Sequence, residues 1–297
     1  MNLFLPVQAF DDLVLGAVQA GISPAMTAAM LVVTFLGNPV FWFIVAACLY
    51  WRGQENKGFF LVNLVAFASA AAGALKIAFM RPRPSSSEFQ VLGTDGYAMK
   101  SFPSGHATMV GAAFYYAHKM TKRLWKPAFA LIVLLVAYSR LYLGMHFLTD
   151  VLAGLILGAV IGKLNLVARN KLFHRNFKPS KLEDEIALVA LVTASVLAVL
   201  FLSSIPLAGL FLGFYLGFFL FKEMELRQSI LLREPLLLKY AAGFAVLAAI
   251  LLVGEGFLDL GIWLGSVERF ALYAFGGFWV SWLWPWLFEK GFQKTIG

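Results

Sequence analysis

One cysteine, Cys48, is the whole thiol content of this chain, which excludes an internal disulfide framework and a cysteine-based metal cluster. Charge is also scarce. Only 13% of the 297 residues are charged against 61% hydrophobic, and mean hydropathy is +0.79, far outside the range of water-soluble globular domains. No Lys or Arg precedes Arg52, so the start of the chain lacks the basic region of a cleaved signal peptide. The strict alternation of outer-membrane strands is missing too, because the apolar runs are long and continuous. The net charge of +8 sits in short loops between those runs, so no nucleic-acid partner is expected.

What is present is a succession of apolar runs, near residues 26–51, 59–79, 107–120, 127–143, 147–166, 186–205, 207–221, 240–256 and 270–288. They predict an all-α, polytopic membrane helix bundle of about nine spans. Three segments follow: 1–58 with an outer N-terminal stretch and the first span or spans, 59–166 as a core, and 167–297 with additional spans. Gly37-Asn38-Pro39 interrupts the first run and could kink or split it. Lys119, Lys122, Arg123 and Lys126 crowd one loop, and Lys163, Arg169, Lys171, Arg175, Lys178 and Lys181 another. Alternation of the spans puts both on one side with Arg52 and Lys57, and the positive-inside bias makes that side cytoplasmic. Residues 76–106, 139–147 and 256–268 are then left facing out.

Two of those outer segments carry polar groups that packing does not require. In "KIAFMRPRP", Lys76 and Arg83 flank the exit of a span that Pro82 and Pro84 end. Guanidinium groups held extended before a proline suit phosphate, and a cationic cluster on the outer side runs against the interfacial-snorkelling alternative. Arg81 could take the place of Arg83 in phosphate contact, although its spacing from Lys76 differs. In Pro103-Ser104-Gly105-His106, Ser104 can cap the next helix, whose amides face an anion, and Gly105 allows close backbone approach. A plain serine cap with an incidental histidine explains this motif equally well when it is taken alone. In "SRLYLGMHFLTD", Arg140 is followed by His146 and Asp150, four residues apart on one helix face, where a carboxylate can fix the imidazole tautomer. Two histidines and an aspartate could also suit a metal, but Lys76, Arg83 and Arg140 converging on one pocket repel a cation and attract a polyanion; no metal and no cofactor is expected.

The ordered set Lys76-x6-Arg83-Pro84, Pro103-Ser104-Gly105-His106 and Ser139-Arg140-x5-His146-x3-Asp150 resembles the three-part signature of the type 2 phosphatidic acid phosphatase superfamily, over about residues 59–166. "YSRLYLGMHFLTDVLAG" looks particularly similar to the lipid-phosphatase and sphingosine-phosphate-phosphatase branches, with Ser104-Gly105 in the bacterial style. The resemblance implies that His146 is a nucleophile forming a phosphohistidine, that Asp150 holds its imidazole, and that His106 protonates the leaving oxygen. It implies that Lys76, Arg83, Ser104, Gly105 and Arg140 bind the phosphoryl oxygens.

A metal-independent phosphatase of a phospholipid, sphingoid or isoprenoid phosphate is therefore expected. It would be embedded in the bilayer, with its site facing the periplasm, cell exterior or an organelle lumen. A hydrolase of a soluble sugar phosphate, similar to glucose-6-phosphatases, is the rival within enzymes; a lipid transporter or flippase reusing the scaffold is the rival from another class. Tyr97, Lys100 and Glu88 are candidate headgroup contacts. The stripes Gly154/Gly158/Gly162 and Gly209/Gly213/Gly217 predict close helix packing inside the chain, with a homodimer seam as their second use. Trp279, Trp282, Trp284 and Trp286 read as an aromatic belt at the cytoplasmic interface.

Overall fold

The structure, a computed structural model, describes residues 4–93, 100–120, 123–172, 205–223, 236–258 and 265–288, with a few single positions between 189 and 197. Helices account for nearly all of it: α1 (Leu5–Gln19), α2 (Pro24–Phe35), α3 (Pro39–Trp51), α4 (Glu55–Phe79), α5 (Gly105–Met120), α6 (Lys126–Tyr142), α7 (Leu148–Leu172), α8 (Ile205–Glu223), α9 (Leu236–Leu258) and α10 (Gly265–Phe278). A turn of 3-10 helix (Arg123–Trp125) leads into α6, and a π-helical turn (Trp279–Leu283) follows α10. The expected all-α architecture is present.

The expected count of nine spans is not. Among the described residues three helices are long and apolar enough to cross a bilayer: Glu55–Phe79, Arg123–Tyr142 and Leu148–Asn170. A fourth is reached if α1 and α2, bent by 119° at a short break, count as one span. Hydropathy overcounted because an apolar run need not be one helix, and an apolar helix need not be long enough to cross. The run 26–51 divides at Gly37-Asn38-Pro39, where the Asn38 side chain accepts the Val40 N–H at 2.8 Å and starts α3 afresh. Helix α5 has 16 residues, and the apolar stretches of α8 and α9 are shorter than a span. The run at 270–288 is α10 followed by the π turn. Most of the 186–205 run lies outside the described residues, as do Tyr97, His174 and Lys290.

The chain forms two compact units. The first comprises Met1–Trp42 and Phe67–Asn176, the second Phe43–Ala66 and Phe177–Gly297, so α4 contributes to both. In the first unit α7 packs along α5, α2 lies on α6, and α1 rests on α6 and α7. The α5–α7 contact shows what the glycine stripe is for. A Cβ added at Gly154 would stand 2.6 Å from the Ser104 carbonyl, and one at Gly162 2.6 Å from that of Ala112. Only hydrogen at these positions lets the two backbones touch. In the second unit Gly209 and Gly213 of α8 meet the Phe270 and Ala274 carbonyls of α10 in the same way. Both stripes thus serve packing within the chain.

The tryptophans near the C-terminus are partly reassigned. Trp279 is buried and donates from Nε1 to the Gly243 carbonyl at 3.2 Å, and Trp284 donates to that of Lys239 at 3.1 Å. Their indole N–H groups tie the π turn and the residue after it to α9 inside the second unit, an inward role an aromatic belt does not predict.

Candidate active site

The candidate side chains gather at one end of α4–α7, where the chain leaving α4 and the chain entering α5 meet the short α6–α7 connection. Helix α4 stops because Met80 takes a left-handed backbone (φ 48°) and Pro82 and Pro84 follow. The chain then runs beside residues 100–101: Pro82 bridges to Lys100, and the Ser101 N–H donates to the Arg81 carbonyl at 2.7 Å. Lys76, in the last turn of α4, donates from Nζ to the Lys100 and Ser101 carbonyls at 2.9 and 3.3 Å. Ser104 caps α5, accepting the Ala107 N–H at 3.4 Å, and its own N–H donates to the Asp150 carbonyl at 3.0 Å. The glycine stripe of α7 therefore sets the distance between the second and third motifs. Nothing lies within 4 Å of where a Gly105 Cβ would be, so the helix N-terminus opens onto free space.

His146 sits in the short connection between α6 and α7, with 1% of its surface exposed. Its Nδ1 is 3.8 Å from Asp150 Oδ2 and 3.3 Å from the Ser101 hydroxyl, which itself makes a short hydrogen bond to Asp150 Oδ2. The Phe147 N–H donates to the same carboxylate oxygen at 3.0 Å. The expected direct Asp150–His146 hydrogen bond is thus replaced by one relayed through Ser101. A proton on Nδ1 donates to the Ser101 oxygen, Ser101 donates to Asp150, and Nε2 is left with its lone pair.

Burial holds the His146 imidazole well below its ordinary value of 6.5, and the charges of Arg140, Lys76, Arg83 and His106 push it the same way. His146 is therefore neutral at physiological pH and faced by the cations that an anion would bring together. Arg140 is buried at the end of α6 and donates to Thr34 Oγ1 at 2.6 Å. Arg83 is half-buried, with a terminal nitrogen 3.9 Å from the Met145 sulfur. His106 is half-buried in the first turn of α5. A Cβ on Gly37 would come within 2.9 Å of the His106 Cβ, so the break between α2 and α3 packs directly on that histidine.

All eight sequence-selected residues, Lys76, Arg83, Ser104, Gly105, His106, Arg140, His146 and Asp150, come together here. Glu88 lies exposed in the turn after Pro84, and Lys100 contributes its carbonyl to Lys76. Arg81 does not face the same way as Arg83. Arg81 is 2% exposed, and its guanidinium is bonded to Asp150 and Asp11, which removes it from phosphate contact. Sequence reasoning missed Ser101, Thr34, Gly37 and Asp11. Ser101 shares the polar island "SFPSGHAT", a usable signal; Gly37 was legible only as a helix break, and Thr34 and Asp11 lie far away in the chain and carried none. Among the described residues no group of three His, Cys, Asp or Glu side chains could hold a metal ion.

The family model described as the PAP2 superfamily matches residues 57–174, and one described as the PAP2 superfamily phosphatase transmembrane extension matches residues 205–294. A decaprenylphosphoryl-5-phosphoribose phosphatase of Mycolicibacterium smegmatis is 36% identical over 150 residues, 48% of this chain and 81% of the relative. A lipid A 1-phosphatase of Rhizobium johnstonii is 34% identical over 117 residues, 37% of this chain and 47% of the relative, so the match spans about half of that protein. A solved transmembrane PAP2-type phosphatidylglycerolphosphate phosphatase from Bacillus subtilis is 27% identical, with a TM-score of 0.48, over 58% of this chain and 90% of that one.

Proposed function

The chain belongs to the PAP2 superfamily and is a PAP2-type phosphatase; from that premise we propose that it hydrolyses a phosphate monoester or diphosphate of a membrane lipid at the extracytoplasmic face, through a phosphohistidine on His146. One observation carries the reading: a buried, neutral His146 faces Lys76, Arg83 and Arg140 beside the open N-terminus of α5.

In the first step His146 Nε2 attacks phosphorus. A P–N bond forms, the bond to the lipid oxygen breaks, and His106 gives that oxygen its proton. In the second step His106 takes a proton from water, the water oxygen attacks phosphorus, and the P–N bond breaks to release phosphate. Both steps spread negative charge over three phosphoryl oxygens, which Lys76, Arg83, Arg140, the Ser104 hydroxyl and the Gly105 amide stabilise. Asp150, through Ser101, keeps the Nδ1 proton in place and balances the cationic phosphoimidazole.

The orientation rests on helix ends, since alternation over nine spans no longer applies. Helices α5, α6 and α7 have the site at one end, and Arg123, Lys126, Lys163 and Arg169 mark the other ends of α6 and α7. The positive-inside bias puts the basic ends in the cytoplasm. With 16 residues, α5 is roughly 24 Å long, short of the about 30 Å hydrocarbon core, so its N-terminus sits below the membrane surface. A lipid phosphate can enter there sideways with its tail still in the bilayer, and the relatives' names describe phosphatases of lipid-linked phosphates.

The test is phosphate release by detergent-purified protein across a panel of phosphatidic acid, sphingoid phosphate and isoprenoid mono- and diphosphates, with glucose 6-phosphate alongside and His146→Ala as control. Turnover of lipids that His146→Ala abolishes is expected. Turnover of the sugar phosphate alone, or wild-type release by His146→Ala, refutes the proposal.

A further inference from the structure

The Arg81 guanidinium makes four side-chain hydrogen bonds, and nothing in the reaction above uses it. One terminal nitrogen donates to Asp150 Oδ1 and Thr149 Oγ1, both at 2.7 Å. The other donates to Asp11 Oδ2 at 2.7 Å and Gln8 Oε1 at 3.1 Å. The rings of Phe4 and Phe147 lie 4.4 and 4.3 Å from the guanidinium carbon. Asp11 is fully buried and also accepts the Thr149 N–H at 3.0 Å and the Thr149 hydroxyl at 2.5 Å. A carboxylate of α1 is thereby joined through one guanidinium to the carboxylate that serves His146.

We propose that Arg81 and Asp11 are positioning residues of the phosphatase reaction, which makes helix α1 part of the catalytic apparatus. This rests on the His146–Asp150 reading given above. The fork of Arg81 suits the purpose, since two donors on one planar group orient two carboxylates at once. Its charge matters as much. A lone buried Asp150 carboxylate would pull a proton onto His146, whereas an Asp150–Arg81 pair alone would be neutral and do nothing for a cationic phosphoimidazole. With Asp11 included, two carboxylates share one guanidinium, and the trio keeps one net negative charge. That is enough to balance the phosphorylated ring, while the resting ring is kept neutral by burial and the surrounding cations, with the Arg81 guanidinium offsetting part of the carboxylate charge.

A strut that merely ties α1 to the core would lower activity without moving an ionisation. The proposal requires the acid limb of kcat/KM, which reports loss of neutral His146, to move in opposite directions in two variants. His146 is faced by Lys76 from α4, Arg83 from the stretch after it, His106 from α5, Arg140 from α6 and Asp150 from α7, and these stay unchanged. In Arg81→Gln the carboxylates are unbalanced, and the limb should rise by about half a pH unit or more. In Asp11→Asn the guanidinium serves Asp150 alone; the limb should fall and kcat should drop about tenfold or more, with KM nearly unchanged because the phosphate contacts are intact. Arg81→Lys should restore the limb but not the full kcat.

The measurement is kcat/KM against pH in mixed detergent micelles, using the best substrate of the lipid panel. Its own phosphate titrates alike in every variant. Limbs that stay in place, or that move the same way in Arg81→Gln and Asp11→Asn, overturn the proposal. If Arg81→Gln does not fold, an unmoved limb in the near-isosteric Asp11→Asn overturns it alone. A wild type that releases no phosphate from any lipid refutes instead the reading on which it rests.

Discussion

His106→Ala should slow hydrolysis of a lipid monophosphate by about a hundredfold or more, and that of a diphosphate by much less. A lipid alkoxide leaves badly without a proton, whereas inorganic phosphate leaving from a diphosphate needs less help. Equal losses, measured as phosphate release on matched mono- and diphosphates, would remove the acid role. Ser101→Ala should lower kcat roughly tenfold to a hundredfold with little change in KM, and Ser101→Thr should recover part of it, since the hydroxyl only holds the ring in register with Asp150. His146 also links pH to stability. Its folded value lies well below 6.5, so under acid the unfolded chain binds a proton that the folded chain refuses. Stability is complete above about 6.5 and declines as pH falls from there towards the folded value. His146→Asn should therefore lose less melting temperature than wild type between neutral pH and a pH near 5, as followed by thermal unfolding in detergent.

Helix α7 sets the register of two motifs, and its glycines are the means. An added methyl at Gly158 would collide with the Thr108 carbonyl and stand 2.7 Å from the Ala112 nitrogen. Gly158→Ala should destabilise by about 1–3 kcal/mol and reduce turnover with it, because prising α5 from α7 strains the Ser104–Asp150 backbone hydrogen bond. Gly16→Ala in α1 is the matching control. Nothing lies within 4 Å there, so it should be neutral or stabilising by about 0.4–1 kcal/mol, measured in the same unfolding experiment. The second stripe in α8 meets α10 in the same way, which makes intramolecular packing the use of both.

At the scale of the whole molecule the proposed orientation can be read by labelling. In a Cys48→Ser background the chain has no other thiol, so single cysteines report cleanly. Glu88→Cys, in the exposed turn on the site side, should react with a membrane-impermeant maleimide on intact cells. Leu124→Cys, at an exposed position on the basic side, should react only after permeabilisation. The reverse pattern would invert the orientation and place the substrate on the cytoplasmic leaflet.

Sequence alone determined that this is a helical membrane protein, and it singled out eight residues that the fold brings together into the proposed phosphate site. Apolar runs are a direct consequence of a lipid solvent, and Lys76, Arg83, Ser104–His106, Arg140, His146 and Asp150 stand in an order and spacing that resembles a known three-part signature. The number of crossings was not legible. Hydropathy records how apolar a stretch is, not whether it continues as one helix, and the break at Gly37-Asn38-Pro39 or the 16-residue length of α5 shows only in the folded backbone. Nor could it separate Arg81 from Arg83, two arginines each preceding a proline. Their directions are decided by the left-handed turn at Met80 and by Asp11 on a helix seventy residues earlier, a carboxylate that tertiary folding alone brings to within 2.7 Å. Spacing along the chain encodes what one helix face can share, whereas the partners of a buried charge are chosen by whichever elements pack over it.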